Sequence, residues 1–354
     1  MNILPYRAYG NSVPNSASSA IVMDVKTGRI LYEKNIHVRR PMASTTKIMT
    51  ALLALENSDI EESVKINRKA VGIEGSSIYL QFDEKVKMKD LLYGLMLRSG
   101  NDAAAAIAYH VAGSIENFAD MMNKRAKELG AKNTNFVNPH GLHHDQHFTT
   151  AYDLALIARQ ALLNQNFKDI VKTKLWVSER DGYKYFYNKN KTLNDYEGGD
   201  GVKTGYTTVS GRCLVTSATR NGMQFVCVVL NDPNWFQDSY NLLDDAFSKY
   251  SPLEITLKDR IVEKVVVKDG KKPETGVISR EDVIIPVTEE EKNKTAVIKN
   301  IPKIVNAPIS RKLKVGDLKV FVDNKLIYTT DLYLREDIEK KQLIDKMKEF
   351  FKTE

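Results

Sequence analysis

The sequence predicts an α/β sandwich with an inserted all-helical region, followed by a small all-β domain and a C-terminal amphipathic helix. Three observations carry this. Strand-type alternation opens the chain and returns over residues 183–230. Helical periodicity fills the stretch between, most compactly from Met88 to Gly130. At Ser251-Pro252 the mixed pattern gives way to short β-type runs.

Taken in order, residues 1–18 are polar and rich in Pro, Asn and Ser, and read as a flexible N-terminal segment. The first folded unit spans 19–250. Ala20–Asp24 and Arg29–Glu33 alternate around Val25-Lys26-Thr27-Gly28, which predicts an opening hairpin. Residues 43–56 form a strongly helical stretch. Lys89–Arg98, Ala103–Val111 and Ile115–Leu129 follow as helices, and Thr150-Ala151-Tyr152-Asp153 opens another that ends near Asn164. Arg212–Thr219 and Met223–Leu230 read as strands joined at Asn221-Gly222, the strongest short hairpin signal. Asn241–Lys249 closes the unit as a helix.

A second unit, 253–331, carries β runs at Val262–Val267, Val283–Val287, Leu318–Val322 and Leu326–Thr329. Turns at Lys268-Asp269-Gly270 and Asp323-Asn324 part them, which predicts a small sandwich. Leu332–Glu354 is expected as a terminal helix with Leu343, Ile344, Met347, Phe350 and Phe351 on one face.

Composition excludes several classes of function. The chain has 354 residues, 42% of them hydrophobic, with a net charge of +7. No Lys/Arg block with interleaved aromatics suggests a nucleic-acid surface. No run reaches the ~18 apolar residues of a membrane span. The two cysteines make no disulfide framework. With Arg220 facing Met223 in the hairpin, Cys213 faces Leu230 and Cys227 faces Thr216, so the thiols lie on opposite faces and act as small buried hydrophobes.

The chemistry starts at Ser44-Thr45-Thr46-Lys47, placed at the opening of the 43–56 helix. The (i, i+3) spacing puts Ser44 and Lys47 on one face. A serine hydroxyl needs a base to take its proton, and a neutral lysine in hydrogen-bond reach can do so. Free N–H groups at a helix start suit a developing oxyanion. The second motif is Ser99-Gly100-Asn101, though Asn101 or Asp102 would also serve as the N-cap of the Ala103 helix. The third is Lys203-Thr204-Gly205, after Gly198-Gly199-Asp200-Gly201; its glycine lets a ligand approach the strand, and its lysine and hydroxyl would grip a carboxylate. A second copy, Lys26-Thr27-Gly28, sits at a hairpin tip ahead of Ser44, where turn chemistry explains it.

Ser-x-x-Lys, Ser-x-Asn and Lys-Thr-Gly in this order resemble the penicilloyl-serine transferases. Asn138-Pro139-His140-Gly141-Leu142, His147 and Thr150-Ala151-Tyr152-Asp153 are similar to the Asn-Pro-His-Gly-Leu…His…Thr-Ala-x-Asp pattern of low-molecular-mass D-alanyl-D-alanine carboxypeptidases, penicillin-binding proteins of the SxxK serine type. The opening hairpin, the Asp200–Thr207 strand and the β domain with its terminal helix match too. The resemblance covers nearly the whole chain from Ala20 and implies a β-lactamase/transpeptidase-like fold.

It also implies roles. Ser44 would attack the penultimate D-alanine carbonyl of a peptidoglycan stem ending in D-Ala-D-Ala, leaving an acyl-enzyme that water hydrolyses. Lys47 would be the base, neutral through burial and the nearby Lys203 charge. Ser99 would relay protons, and Asn101 would hold the substrate amide and orient Lys47. Lys203 and Thr204 would bind the terminal carboxylate along the Gly205 strand, and the backbone N–H groups of Ser44 and Tyr206 would form the oxyanion hole. β-Lactams would acylate Ser44 in the same way. Many members carry histidine where this chain has Tyr206. The backbone role survives that change, while substrate preference or deacylation rate need not.

No cofactor is implied. His140, His143, His144, Asp145 and His147 put four of the six histidines close together, yet their spacing fits no zinc motif. The expectation is therefore no metal, and the resemblance makes this a structural loop below the site. The activity calls for export to the outer face of the cytoplasmic membrane or the cell-wall space, by a signal peptide outside this sequence. The terminal helix resembles a membrane-surface anchor, but five lysines face six acids over 336–354. Only its apolar area favours a membrane, so packing against a protein competes.

The rival functions are a weak β-lactamase, an SxxK esterase and a catalytically silent penicillin-binding scaffold. No glutamate sits in the Glu-x-x-Leu-Asn pattern of a class A lactamase. Such esterases usually carry Tyr-x-Asn and lack the β domain, and a silent scaffold needs a lost catalytic group, of which there is none.

Overall fold

The computed structural model describes residues 13–343 and divides into two compact units, with the boundary between Lys249 and Tyr250.

In the first unit, β1 (Ser19–Asp24) and β2 (Ile30–Lys34) form the opening hairpin. A 3₁₀ turn at Ala43–Thr46 leads into α1 (Lys47–Asn57). The sequence pattern read this stretch as one helix. The first turn tightens because the Thr45 and Thr46 hydroxyls donate to the Met42 and Ala43 carbonyls, three residues back. A short pair follows, β3 (Ser63–Lys65) and β4 (Lys85–Lys87). Next come α2 (Met88–Leu97), α3 (Asn101–Ala112) and α4 (Ile115–Glu128). Gly113 stops α3 with a left-handed φ of 77°, and Ser114 caps α4 by accepting from Asn117 N–H.

Thr150 caps α5 (Ala151–Leu162) through Asp153 N–H. A helix the sequence reading did not separate, α6 (Gln165–Lys172), follows at once, capped by Asn164. The polar run Asn164-Gln165-Asn166, read as the end of α5, is where Asn164 accepts from Phe167 N–H and starts the next helix. β5 (Leu175–Val177) pairs with β6 (Tyr185–Tyr187), and the single turn α7 (Thr192–Asp195) interrupts the region read as strand. Then β7 (Gly199–Thr207), β8 (Gly211–Arg220) and β9 (Met223–Leu230) complete an antiparallel sheet of order β2-β1-β9-β8-β7.

Arg220 pairs with Met223 and Thr216 with Cys227, the register expected from Asn221-Gly222. Both thiols are buried and free. α5 packs against β9 and β1, while α8 (Trp235–Lys249) packs against β8 and β9. The helix α8 starts ahead of the predicted Asn241, because Asp232 accepts from Asn234 N–H and turns the chain. Helix α1 lies at the centre of the helical region, buried from Lys47 through Ala54. Ser16 is tied to Asp238 and Asp232, at 2.6 Å each.

Over residues 250–342 the second unit is β-structured apart from one turn, α9 (Glu289–Lys292). β10 (Ser251–Thr256) pairs with β13 (Val283–Val287), whose Val283, Ile285 and Val287 are fully buried. A six-stranded sheet joins β11 (Ile261–Lys268), β12 (Glu274–Ser279), β14 (Thr295–Asn300), β15 (Ile304–Asn306), β16 (Lys314–Val322) and β17 (Lys325–Leu334), in the order β14-β16-β17-β12-β11-β15.

The predicted terminal helix needs correction at its start. Leu332, Tyr333 and Leu334 finish β17 and pair with Ser279, Ile278 and Val277. Thr330, Leu332 and Leu334 keep the two-residue burial rhythm of a strand. Ile338 then bridges to Ile309, so residues 335–342 are not helical either. Ile344 to Glu354 lie outside the described residues. Among the described residues no helix is long and apolar enough to cross a membrane.

Candidate active site

Three pieces of backbone converge on Ser44: the 3₁₀ turn that carries it, the start of α3, and β7. Gly205 sets the closeness of the strand. A Cβ there would lie 2.9 Å from Ser44 N and 3.1 Å from Thr45 N, so only glycine lets β7 lie across the Ser44 turn. Ala43, just before Ser44, has a left-handed φ of 48°, and Ser99 one of 63°. Such strain in non-glycine residues costs of order 1–3 kcal/mol each and is held by the surrounding structure.

Lys47 Nζ is the hub. It lies 3.0 Å from Ser44 Oγ, 2.7 Å from Asn101 Oδ1 and 2.6 Å from the His140 carbonyl. The side chain is fully buried. Burial first, then the charge of Lys203, hold its pKa well below the usual lysine value, which favours the neutral amine.

Asn101 is not the N-cap of α3, and neither is Asp102. Gly100 is, and the helix begins at Asn101 itself. That frees the Asn101 side chain to face Lys47 while its amide donates to the Glu74 carbonyl. Asp102 instead accepts from the Ser77 hydroxyl at 2.6 Å and from the N–H groups of Ile78 and Leu80, holding the loop that supports Asn101. Ser99 is nearly buried, and its hydroxyl makes no hydrogen bond to Lys47 or Ser44.

Lys203 is buried as well and donates to the Thr204 carbonyl at 2.8 Å. Burial and Lys189 push its pKa down to about 7. Lys189 and Lys203 thus bring positive charge beside the Lys47 amine, and none of the three is ion-paired with a carboxylate among the described residues. Thr204 is half-buried and Tyr206 is exposed at 64%. Such a site is built for a ligand that brings its own negative charge.

The histidine loop does more than lie below the site, since the His140 carbonyl is one of the three acceptors around Lys47. Asn138 Oδ1 accepts from Gly141 N–H at 2.7 Å and shapes the turn. Gly141 has φ 88°, and a Cβ there would sit 2.0 Å from the Ala43 carbonyl. His147 Nε2 meets the Thr46 hydroxyl at 2.8 Å while its Nδ1 accepts from Val137 N–H. Burial drives the pKa of His140 and of His147 down to about 3, so both are neutral. No group of three or more potential metal ligands occurs among the described residues.

The D-alanyl-D-alanine carboxypeptidase family profile matches residues 10–234, and that of the penicillin-binding protein 5 C-terminal domain matches residues 250–340. The curated D-alanyl-D-alanine carboxypeptidase DacF of Bacillus subtilis is 33% identical over 350 residues, covering 96% of this chain and 90% of the relative. DacA of Escherichia coli is 31% identical over 356 residues, covering 95% and 87%. Among solved structures, penicillin binding protein 5 of Haemophilus influenzae aligns with a TM-score of 0.70 at 28% identity, covering 94% of this chain and 100% of that one.

The chain belongs to the D-alanyl-D-alanine carboxypeptidase family. It is a serine-type hydrolase and a low-molecular-mass penicillin-binding protein that removes the terminal D-alanine of peptidoglycan stem peptides.

Proposed function

We propose that Ser44 is the nucleophile of this carboxypeptidase and Lys47 its general base. The observation that carries the assignment is the buried Lys47 amine, 3.0 Å from Ser44 Oγ and held toward its neutral form. In the first step the Ser44 proton passes to Lys47, and Oγ bonds to the carbonyl carbon of the penultimate D-alanine. The negative oxygen that forms is met by the backbone N–H groups of Ser44 and Tyr206, which the approach at Gly205 supports. Collapse breaks the C–N bond, and the departing amine takes a proton from Lys47; the relay assigned to Ser99 requires its hydroxyl to turn toward Lys47 once substrate is bound, since the two are not hydrogen-bonded in the free site. Asn101 keeps Lys47 oriented and receives the substrate amide. Water then attacks the ester carbonyl and gives a proton to Lys47; the bond from the acyl carbon to Ser44 Oγ breaks, and Oγ takes that proton back from Lys47 as the shortened peptide leaves.

Lys203 and Thr204 hold the terminal carboxylate, which balances the positive charge beside Lys47. A β-lactam presents an acyl group and a carboxylate of similar disposition and acylates Ser44 by the same route. The substrate class places the enzyme outside the cytoplasm, on the outer face of the membrane or in the wall space. Contact of the C-terminal segment with a membrane surface belongs to the same reading and rests on its apolar residues in the sequence.

The test is incubation with benzylpenicillin, followed by intact and peptide mass spectra. A penicilloyl adduct on the Ser44 peptide is expected, together with its loss in Ser44→Ala and the loss of diacetyl-Lys-D-Ala-D-Ala hydrolysis. Hydrolysis that survives in Ser44→Ala would refute the assignment.

A further inference from the structure

A cavity of about 580 Å³ opens beside Tyr206, lined by Tyr206, Gly211, Arg212, Asn231, Pro233 and Trp235. Tyr206 and Arg212 are cross-strand partners in the β7–β8 pairing, so their side chains leave the sheet on one face. Thr204, two residues before Tyr206, shares that face.

Arg212 is a placed cation. Its Nη1 donates to the Pro233 carbonyl at 2.7 Å, and its guanidinium lies 6.0 Å from the centre of the Trp235 ring. Arg220, at the far end of the same strand, is paired with Asp244 at 3.1 Å. Arg212 has no carboxylate partner among the described residues, and one of its five N–H donors is used. An exposed arginine with no structural task is usually left mobile, because holding it costs side-chain entropy. Here the carbonyl and the indole hold it at a cavity mouth. Gly211 keeps the wall thin: at φ 63°, a Cβ there would lie 2.3 Å from Asn231 Oδ1.

The direction of the substrate decides what meets Arg212. On the function proposed above, the terminal carboxylate sits at Lys203 and Thr204 and the scissile carbonyl at Tyr206 N–H. The acyl portion therefore continues past Tyr206, toward the cavity. We propose that Arg212 and the Tyr206–Trp235 walls form an acyl-side subsite for a second carboxylate, one carried by the stem peptide ahead of D-Ala-D-Ala. The arginine supplies charge and paired donors, and the two rings cover the apolar body beside it. Two sources offer that chemistry: the side-chain carboxylate of a diamino-dicarboxylic acid next to D-Ala-D-Ala, or the free α-carboxylate of a γ-linked glutamate one residue earlier.

The test uses the full chain and three peptides. Diacetyl-Lys-D-Ala-D-Ala has no second carboxylate. Diacetyl-diaminopimelyl-D-Ala-D-Ala and γ-glutamyl-(Nε-acetyl)Lys-D-Ala-D-Ala carry one at the two candidate positions. The readout is the ratio of kcat/KM for each carboxylate peptide to that for the diacetyl-Lys peptide, in wild type, Arg212→Gln and Arg212→Lys. The ratio for one carboxylate peptide is expected to fall about tenfold in Arg212→Gln, mainly through KM, and to recover partly in Arg212→Lys. The peptide affected identifies the source. Ratios that stay unchanged in Arg212→Gln, whether all three substrates lose rate together or none does, overturn the subsite. Penicillin labelling of Ser44 in the same variants separates this failure from failure of the proposed mechanism, which would remove the label altogether.

Discussion

Asn101 Oδ1 accepts from Lys47 Nζ at 2.7 Å, while the amide group of the same side chain donates to the Glu74 carbonyl. One side chain thus ties the Lys47 amine to a loop that sequence alone does not connect to it. Asn101→Asp places a carboxylate against Lys47 and a second acceptor against Glu74. The charged ammonium is then favoured, opposing the burial that keeps the amine neutral. Acylation by benzylpenicillin at pH 7 is expected to slow about 10²–10⁴-fold, the usual worth of a positioned base, and to recover at higher pH. A wild-type rate at pH 7 would show that the neutral amide is not needed.

On the proposed assignment, Lys203 gives the pH profile its alkaline side. Its pKa of about 7 means the charge is present below neutrality and is lost as pH rises through 7. The grip on a substrate carboxylate weakens in the same direction, so kcat/KM for the peptide is expected to fall above pH 7. A bound carboxylate restores the charge, so kcat falls less. In Lys203→Gln the positive neighbour that lowers the Lys47 pKa is gone. The Lys47 pKa then rises, and the acid limb of penicillin acylation moves to higher pH. A limb that stays in place would separate the two lysines.

Gly141→Ala tests the contact between the histidine loop and the nucleophile turn. The new Cβ meets the Ala43 carbonyl at 2.0 Å and forces φ 88° on a residue that resists it. The variant is expected to lose more than about 1 kcal/mol of stability. Penicillin acylation slows with it, because His140 shifts on Lys47. Thermal unfolding and the acylation rate measure the two effects, and an unchanged melting temperature would mean the loop has room to move.

Arg180 holds the other side of the Asn101 support. It binds Glu84 through Nε at 2.7 Å and Nη2 at 3.0 Å, and it donates to the Ile78 carbonyl at 2.9 Å. Its side chain is 3% exposed and that of Glu84 21%. Arg180→Ala leaves Glu84 and the carbonyls of Ile78, Tyr79 and Tyr183 without their donor and is expected to cost about 3 kcal/mol, the low end for a buried pair. Glu84→Gln in the Arg180→Ala background should cost less than it does in wild type. Additive losses in denaturant unfolding would contradict the coupling.

Where the local pattern held the answer, the sequence was legible. The (i, i+3) step from Ser44 to Lys47 and the Asn221-Gly222 register that separates Cys213 from Cys227 both follow from fixed periods. The His140 carbonyl was not legible as a ligand of Lys47, because a backbone acceptor leaves no mark in residue type. The Glu74–Leu80 loop was missed for a related reason, since Asp102 organises it through backbone N–H groups that any residue supplies. At Leu332–Leu334 an apolar run common to strand and helix was read with the wrong period. Strand partners distant in sequence, Val277 to Ser279, decide the matter.

Three oxygens surround Lys47, and two of them, the Asn101 amide oxygen and the His140 carbonyl, can only accept. A neutral amine has two protons to give and one lone pair. Those two acceptors claim both protons, so the lone pair has one direction left, toward the Ser44 hydroxyl. Losing a single proton therefore turns the lysine from a donor to Ser44 into an acceptor from it, with no rotation of the side chain. The arrangement works as a valve whose direction is set by proton count alone, and a donor standing in place of either oxygen would jam it.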